Sequence, residues 1–227
     1  MRDARKCFER QCHRGTLQGG AQVAKPIRVA VLVSGSGTNL QSIIDAAEAG
    51  KIDARVVLVF SNKRDAQALE RARKHRIPAE VLEAGSLARE EFDRQAIQII
   101  DRAAPDLVVQ AGYMRIVSKP FVEHYFDRLI NIHPALLPAF PGMHAQKQAL
   151  DFGARVTGCT THFVRVEVDA GPIILQEAVP VRDDDTVETL AARILAEEHK
   201  VLTRTVQLFA EGRLKVEGRK VRILAAG

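Results

Sequence analysis

The segment Asn131-Ile132-His133-Pro134 carries the side chains of this sequence that are best suited to chemistry. It follows apolar residues typical of a short strand, and alternation along a strand places Asn131 and His133 on one face and Ile132 on the other. A side-chain amide beside an imidazole suits the stabilisation of a developing oxyanion and the transfer of a proton. The alternative is a buried histidine that only bonds the backbone at a strand end, which is the commoner role of an isolated histidine.

The turn Asp169-Ala170-Gly171-Pro172 supplies a carboxylate that could partner His133. An aspartate in such a turn is otherwise simply a turn former. No cysteine, serine or cluster of metal ligands accompanies the amide, imidazole and carboxylate, so the residues predict acid–base and electrostatic catalysis with no covalent intermediate and no metal. His144 and His162 lie near these segments in the sequence, and each could assist catalysis or have a structural role.

The glycine-rich segment Ser34-Gly35-Ser36-Gly37-Thr38-Asn39 joins a predicted strand to a predicted helix. Its glycines let the backbone approach a ligand, and the helix amino end offers free N–H groups and a positive dipole end to a phosphate. The alternative is a merely tight turn. Leu40 replaces the third glycine of the dinucleotide fingerprint, and the Walker and nucleophile-elbow patterns are absent. These departures disfavour a nicotinamide cofactor, ATP hydrolysis and serine-hydrolase chemistry.

The elements that must position these segments alternate between strands and helices. Apolar, β-branched runs predict strands at residues 29–33, 56–60, 79–82, 107–110 and 129–132. Apolar spacing predicts helices over residues 39–49, 66–75, 86–103 and 121–125, with Ser86 as the cap of the third. Two β-rich stretches follow at 156–166 and 173–181, and a long helix with Asp185 and Glu188 as its capping box runs to about residue 210. This order predicts an α/β fold: a Rossmann-like, doubly wound, mostly parallel sheet with a β-rich C-terminal part and a long C-terminal helix.

Composition and charge exclude several classes of protein. The 227 residues are 46% hydrophobic and 27% charged. They fit a disordered N-terminal extension over residues 1–26, one domain over 27–214 and a C-terminal tail over 215–227. No run approaches the roughly 18 apolar residues that a membrane-spanning helix needs, so no membrane is expected. Seven basic and two acidic residues up to Arg28 account for the net charge of +5, so the remaining chain is neutral and no nucleic-acid partner is expected.

The three cysteines, Cys7, Cys12 and Cys159, are an odd number and do not suggest a disulfide framework. They indicate a reducing compartment, and no apolar core follows the early charges to make a secretory signal, so we expect a cytoplasmic protein. The N-terminal extension over residues 1–26 is also loosely compatible with an organelle transit peptide. Cys7, Cys12 and His13 supply too few ligands for a metal site.

Five longer stretches resemble the phosphoribosylglycinamide formyltransferases, a family of folate-dependent enzymes of purine synthesis. They are VLVSGSGTNLQSIIDA (31–46), VFSNKRDAQALERARKHRIP (59–78), AGYMRIVSKPFV (111–122), LINIHPALLPAFPGMHAQKQAL (129–150) and GCTTHFVRVEVDAGPIILQEAVPV (158–181). The most specific features are Asn-Ile-His-Pro, the Leu-Leu-Pro run and the downstream Asp-x-Gly-Pro turn. The resemblance covers residues 27–214 and implies the formyltransferase version of the α/β fold.

The resemblance implies roles for individual residues. It makes Asn131, His133 and Asp169 a catalytic triad. It assigns the phosphoribosylglycinamide site to Gly37, Thr38, Asn39, Arg89 and Glu198. It assigns the folate site to Met114, Arg115, Ile116, Val117, Asn131, Val164 and Val168.

The implied reaction moves the formyl group of 10-formyltetrahydrofolate, a co-substrate, to the glycinamide amine, and it requires no metal. Asn131 and protonated His133 would stabilise the tetrahedral oxyanion. Asp169 would keep the imidazole charged and move the amine proton toward the departing folate nitrogen. The chain could be a monomer or a homodimer.

Three alternatives stay open on the sequence alone. Methionyl-tRNA formyltransferase shares the catalytic core but carries a further basic domain at its C-terminus, for which the short tail leaves no room. Formyltetrahydrofolate hydrolase also shares the core, but it carries before that core a regulatory domain much larger than the N-terminal extension of residues 1–26. A non-catalytic nucleotide-binding module is the alternative from another class, and it gives no reason for Asn131, His133 and Asp169 to converge.

Overall fold

The structure is a computed structural model that describes residues 25–226. The predicted N-terminal extension, apart from residues 25 and 26, therefore lies outside the described residues, as do Cys7, Cys12 and His13. None of the helices in the described range is long and apolar enough to cross a bilayer.

Strands and helices alternate through the first part of the domain, as the sequence predicts. The strands of the described chain are β1 (Ile27–Val33), β2 (Ala54–Ser61), β3 (Ala79–Val81), β4 (Leu107–Gln110), β5 (Leu129–His133), β6 (Val156–Phe163), β7 (Ile173–Pro180), β8 (Leu214–Glu217) and β9 (Lys220–Ile223). The helices are α1 (Thr38–Glu48), α2 (Gln67–Lys74), α3 (Arg89–Asp101), α4 (Lys119–His124), α5 (Ala145–Phe152) and α6 (Val187–Ala210).

All the strands belong to one sheet, in the order β3-β2-β1-β4-β5-β6-β7-β9-β8. The neighbours from β3 to β5 are parallel, whereas β6 pairs antiparallel with β5, and β7 pairs antiparallel with β6. The chain winds outward from β1 in both directions, with β2 on one side and β4 on the other. The carboxyl ends of β1 and β4 therefore flank a topological switch point, where open α/β sheets bind their ligands.

Helices cover both faces of the sheet, which is what the prediction of a doubly wound fold requires. Leu40 of α1, Ala68 of α2 and Ile194 of α6 pack into the core on one face. Phe92 of α3 and Phe121 of α4 pack into the core on the other. The central strands are apolar on both faces because both are buried, and the predicted α/β class with a long C-terminal helix is confirmed.

Three elements of the structure were not predicted from the sequence. Helix α5 begins after His144 and ends at Gly153, both of which adopt left-handed backbone conformations. Strands β8 and β9 lie largely in the segment described above as a C-terminal tail, where they form a hairpin that extends the sheet from β7. These elements have only four to eight residues, so their apolar periodicity is too short to stand out.

Two predicted helix caps are wrong. Helix α3 begins at Arg89 with Ala88 as its N-cap, so Ser86 lies outside the helix. Helix α6 has a capping box of Thr186 and Thr189 rather than Asp185 and Glu188. The Asp185 carboxylate instead accepts hydrogen bonds from the backbone N–H of Arg182 and from Arg193, so the helix begins one residue later than a capping aspartate would place it.

Candidate active site

Strand β5 presents Asn131 and His133 on one face of the sheet. Ile130 and Ile132 point into the core on the opposite face, which is the alternation expected along a strand. The antiparallel register between β5 and β6 sets two further polar residues beside them: His162 lies opposite Asn131, and Thr160 lies opposite His133. The amide Nδ2 of Asn131 is 3.2 Å from Nε2 of His162.

The turn between β6 and β7 brings Asp169 to this group from 36 residues further along the chain than His133. Its Oδ2 atom is 3.4 Å from Nδ1 of His133, and its Oδ1 atom is 3.6 Å from Nε2 of His162. Oδ2 also accepts a hydrogen bond of 2.7 Å from the backbone N–H of Gly142. Both imidazoles are almost wholly buried, and the Asp169 side chain is 10% exposed, so the charges interact with little screening by water.

His162 lies between Asn131 and Asp169 and is close to both, a role that the sequence left open. Its Nδ1 atom is 3.2 Å from the backbone carbonyl of Phe163, which can only accept a hydrogen bond. Its Nε2 atom can then accept from Asn131 when the imidazole is neutral, or donate to Asp169 when the imidazole is charged. His144, for which the sequence allowed the same roles, is instead exposed at the amino end of α5.

The orientation of the His133 imidazole is fixed by a backbone group. Its Nε2 atom lies 2.8 Å from the carbonyl oxygen of Phe140. Because that oxygen can only accept, Nε2 carries a proton, and Nδ1 is left facing the carboxylate of Asp169. A proton on Nδ1 as well would give an imidazolium held between the two oxygens.

The Asp169 carboxyl is held in its ionised form. Burial by itself would raise its pKa, but His162 at 3.6 Å, the hydrogen bond from the Gly142 N–H and the charge of His133 together lower the pKa below its ordinary value. The carboxylate is therefore ionised at neutral pH and can stabilise a neighbouring positive charge or accept a proton.

The predicted phosphate loop lies between β1 and α1, at the switch point. Gly37 is the N-cap of α1 with a left-handed backbone (φ 71°), and Thr38 begins the helix. The Nδ2 amide of Asn39 donates a 2.7 Å hydrogen bond to Oε2 of Glu198 on α6, so two residues assigned to the same substrate are in direct contact. The guanidinium of Arg71 donates to the carbonyl of Ser36, which places a positive charge beside the loop.

Helix packing requires a glycine at position 37, a constraint that the sequence did not show. A Cβ atom at this position would lie 2.5 Å from Cβ and 2.8 Å from Cα of Ala68, so α1 and α2 approach each other over the bare backbone. We expect Gly37→Ala to lower the free energy of unfolding by at least about 2 kcal/mol, since a left-handed alanine costs roughly 1–2 kcal/mol and overpacking roughly 1–3. Denaturant titration measures this loss. Gly35→Ala is the matched control, because its Cβ would meet nothing within 4 Å, and an equal loss in both variants would contradict the packing explanation.

Glu198 is a buried carboxyl, 7% exposed, with Asn39 as its hydrogen-bond partner. Burial raises its pKa above the ordinary value of 4.5, and the Asn39 amide opposes that shift only in part. A group with a raised pKa stabilises the fold below its unfolded pKa, and that stability is lost as the pH rises through its folded pKa.

We therefore expect Glu198→Gln to be more stable than the original chain, increasingly so as the pH rises from 5 to 9. The glutamine oxygen can still accept from Asn39, while the buried charge is gone. A thermal midpoint higher by about 2–4 °C at the alkaline end corresponds to about 1 kcal/mol in a domain of this size. Thermal unfolding followed by circular dichroism across the pH range measures it. Glu197→Gln, next in the chain and paired with Lys200, is the control, and a midpoint difference that shrinks with rising pH would contradict the prediction.

The residues predicted to contact folate divide into an exposed rim and a buried floor. Met114 and Ile116 are 63% and 53% exposed, and Val168 is 44% exposed. Val117 and Val164 are buried. Arg115 lies over the ring of Phe92, with its guanidinium carbon 3.8 Å from the ring centroid, and so anchors the loop to α3.

Ser34, at the end of β1, ties this rim to the phosphate loop. Its hydroxyl accepts a 2.7 Å hydrogen bond from the backbone N–H of Met114 and donates one of 2.5 Å to Oδ1 of Asn62. Its own N–H donates to the carbonyl of Gly112. The sequence placed Ser34 in the glycine-rich segment but gave no sign of these partners, because they come from loops 28 and 80 residues away.

Arg89 is the candidate residue that the structure does not connect to the others. It is the first residue of α3 and is exposed, and within residues 25–226 its side chain makes no hydrogen bond or ion pair. A free guanidinium at this position is available to an anion, but no contact with the phosphate loop is present.

A separate cavity of about 600 Å³ lies at the amino ends of β1 and β2, at the opposite end of these strands. Its polar lining includes Arg28, Arg55 and the His75–Glu48 pair, and none of the catalytic candidates reaches it. The convergence of a carboxylate, an amide and two buried imidazoles points instead to the carboxyl ends of the strands as the reaction site.

The fold and the site together define a formyl transferase. The family described as Formyl transferase matches residues 27–206, a range that contains every candidate residue of the triad and of both substrate sites. The chain is 49% identical over 191 residues to the phosphoribosylglycinamide formyltransferase of Escherichia coli (strain K12), which covers 84% of this chain and 90% of that protein. This chain belongs to the phosphoribosylglycinamide formyltransferase family.

A solved structure and a larger relative agree with this assignment. The crystal structure of glycinamide ribonucleotide transformylase 1 from Symbiobacterium toebii matches with a TM-score of 0.86 and 52% identity, over 88% of this chain and 94% of that one. The trifunctional purine biosynthetic protein adenosine-3 of Bos taurus is 46% identical over 204 residues, which cover 89% of this chain and 20% of that protein. The chain thus spans about a fifth of the length of that relative.

Proposed function

We propose that this chain transfers the formyl group of 10-formyltetrahydrofolate to the amine of 5'-phosphoribosylglycinamide, as a step of de novo purine biosynthesis. The observation that carries the proposal is the position of the Asp169 carboxylate within 3.6 Å of two buried histidines, His133 and His162. Membership of a family whose members carry this enzyme's name supports the choice of substrates.

The reaction forms a bond between the glycinamide nitrogen and the formyl carbon, and it breaks the bond between that carbon and the folate nitrogen. The amine loses one proton and the folate nitrogen gains one. The protein therefore has two tasks, which are to stabilise a transient negative charge on the formyl oxygen and to move a proton.

The triad has groups for both tasks. The amide of Asn131 is the hydrogen-bond donor for the negative oxygen. An imidazolium at His133, on the same face of β5, would stabilise that oxygen by its positive charge. Asp169, ionised at neutral pH, lies 3.4 Å from Nδ1 of His133, where its negative charge would offset the positive charge of an imidazolium. The same carboxylate can accept the amine proton, directly or through a water, before the proton passes to the folate nitrogen.

The remaining candidate residues would bind the two substrates. The loop of Gly37, Thr38 and Asn39 would hold the phosphate with backbone N–H groups, assisted by Arg89, and Glu198 would bind the ribose hydroxyls and the glycine side. The apolar rim and floor would hold the folate: Met114, Arg115, Ile116, Val117, Val164 and Val168. We propose no metal, no nucleic-acid partner, a cytoplasmic location and either a monomer or a homodimer.

A spectroscopic assay of tetrahydrofolate release tests the function directly. Purified chain is mixed with 10-formyltetrahydrofolate and with phosphoribosylglycinamide, with charged initiator tRNA, or with neither acceptor. Turnover that requires phosphoribosylglycinamide supports the proposal. Turnover that requires the tRNA would assign the chain to methionyl-tRNA formyl transfer, turnover without an acceptor would indicate the hydrolase, and binding without any turnover would indicate a nucleotide-binding module.

A further inference from the structure

The segment after β5, which we call the proline loop (residues 134–143), touches two members of the triad through its backbone. The carbonyl of Phe140 accepts from Nε2 of His133 at 2.8 Å, and the N–H of Gly142 donates to Oδ2 of Asp169 at 2.7 Å. The loop therefore sets both the direction of the imidazole and one of the hydrogen bonds that lower the pKa of Asp169.

The backbone conformation that aims the Phe140 carbonyl is strained. Phe140 has φ 53°, in the left-handed region that bulky residues avoid. Such a conformation persists only where the surrounding structure over-determines it. Something outside residues 134–143 must therefore hold the loop in place.

Thr160 on β6 is the main group that holds it. Its side chain is completely buried, and its hydroxyl donates to the carbonyl of Ala135 at 2.7 Å and accepts from the N–H of Leu137 at 3.1 Å. Gln176 on β7 adds hydrogen bonds of 3.0 Å to the same hydroxyl and 2.8 Å to the Leu137 carbonyl. One hydroxyl thus links the start of the loop to the sheet, directly opposite His133 in the β5–β6 register.

A third side chain holds the far end of the loop. The Nε2 amide of Gln148, on α5, donates to the carbonyls of Pro141 and Met143 at 3.0 and 2.9 Å. Phe140 and Gly142 lie between the two sets of anchors, so their carbonyl and N–H groups are fixed from both sides.

We propose that Thr160, supported by Gln176, is a positioning residue for formyl transfer, acting through the proline loop to keep the Phe140 carbonyl on Nε2 of His133. This inference rests on the function proposed above. Thr160 touches neither substrate nor reacting atoms in this scheme. Its removal leaves every member of the triad present but frees the imidazole to rotate or to change the nitrogen that carries its proton.

The neighbouring Thr161 gives a matched control. It is equally buried on the same strand, and its hydroxyl pairs with that of Thr205 at 2.8 Å and accepts from the Leu175 N–H. Its side chain points to the opposite face, where β6 contacts α6, and it makes no hydrogen bond to residues 134–143 in the described chain. Thr161→Val therefore removes a buried hydroxyl of the same kind without loosening the proline loop.

The experiment compares Thr160→Val, Thr160→Ser and Thr161→Val in the full chain. We expect Thr160→Val to lower kcat by about ten- to a hundredfold with KM changed less than about threefold, because a displacement of 1 Å at a catalytic group can cost about a hundredfold. Thr160→Ser restores the hydroxyl and should recover most of kcat. Thr161→Val should lower the thermal midpoint by a similar amount but keep kcat. Equal kcat in the two valine variants would show that Thr160 is only structural and would overturn the proposal.

A second measurement reports the protonation of the His133 ring nitrogens and does not depend on turnover. The two ring-nitrogen shifts of His133, observed by ¹⁵N NMR through the carbon-bound ring protons and assigned with His133→Ala, report which nitrogen carries the proton. At a pH high enough for the imidazole to be neutral, we expect the proton to stay on Nε2 in the original chain and in Thr161→Val, and to divide between Nε2 and Nδ1 in Thr160→Val. Unchanged shifts in Thr160→Val would overturn the proposal. If the original chain lacks formyl transfer but shows these shifts, the positioning role stands and the proposed function fails.

Discussion

Replacing His133 with alanine is expected to lower kcat at least about a hundredfold, the usual contribution of a general acid or of an oxyanion donor. The imidazole is buried on β5 and is fixed by the Phe140 carbonyl on one nitrogen and Asp169 on the other. Initial rates of tetrahydrofolate release, at saturating concentrations of both substrates, measure kcat.

His124→Ala is the matched control for this experiment. His124 also contacts an aspartate, with its Nε2 atom 2.8 Å from Oδ2 of Asp101, but it lies on α4 and, within residues 25–226, makes no hydrogen bond or ion pair with the triad. Its variant should turn over at the original rate. Far-ultraviolet circular dichroism should show that both variants are folded, and a folded His133→Ala chain with near-original kcat would remove His133 from the mechanism.

Asp169→Asn is expected to cause a loss of the same order, at least about a hundredfold in kcat. Asparagine tolerates the left-handed backbone of this position (φ 53°) and can still accept from the Gly142 N–H, so the turn should be preserved. It cannot hold a negative charge beside His133 or accept the amine proton. The loss therefore tests the charge of residue 169 rather than its shape.

The pH dependence of the Asp169 variant follows from the lowered pKa of the original carboxyl. A carboxyl with a lowered pKa stabilises the fold above its unfolded pKa, and this stability is lost as the pH falls through the folded value. The ordinary pKa is 3.8, so the original chain should lose this stabilisation below about pH 4, while Asp169→Asn should not show that loss. Thermal midpoints between pH 3 and 7 measure the difference.

Asp151→Asn is the control for both measurements, because it removes the same charge from an exposed pair with Lys147 on α5. Surface pairs of this kind contribute little to stability, and kcat should not change. If Asp169→Asn and Asp151→Asn turned over equally fast, the carboxylate at 169 would have no part in the proton transfer.

The strands and the outline of the site could be predicted from sequence because their signals are local. The apolar run of β4 was predicted with its observed bounds, and the alternation that sets Asn131 and His133 on one face needs only the two-residue period of a strand. The two caps were wrong for the opposite reason. Arg193, two helical turns away, engages Asp185, so a local pattern could not assign the cap of α6.

The partners of the triad could not be predicted, because they depend on register and on loops distant in the chain. His162 faces Asn131 only because β6 pairs antiparallel to β5 with one particular offset, and a shift of one residue would have turned it toward the core. Ser34 bonds to Met114, which is 80 residues away in the chain. The Phe140 carbonyl bonds to His133 from a loop without regular structure, where Phe140 has a left-handed backbone. None of these contacts has a sequence period.

The sequence by itself determined the α/β class, the order of the first five strands along the chain, and which amide, imidazole and carboxylate are the candidates for chemistry. These follow from side-chain type and from periods of two and 3.6 residues, which act over a few neighbours. The tertiary structure decided the distances among those groups, the lowered pKa of Asp169 and the buried Asn39–Glu198 pair. Burial and hydrogen bonding between remote segments set these properties, and they arise only when the chain has folded and these segments pack together.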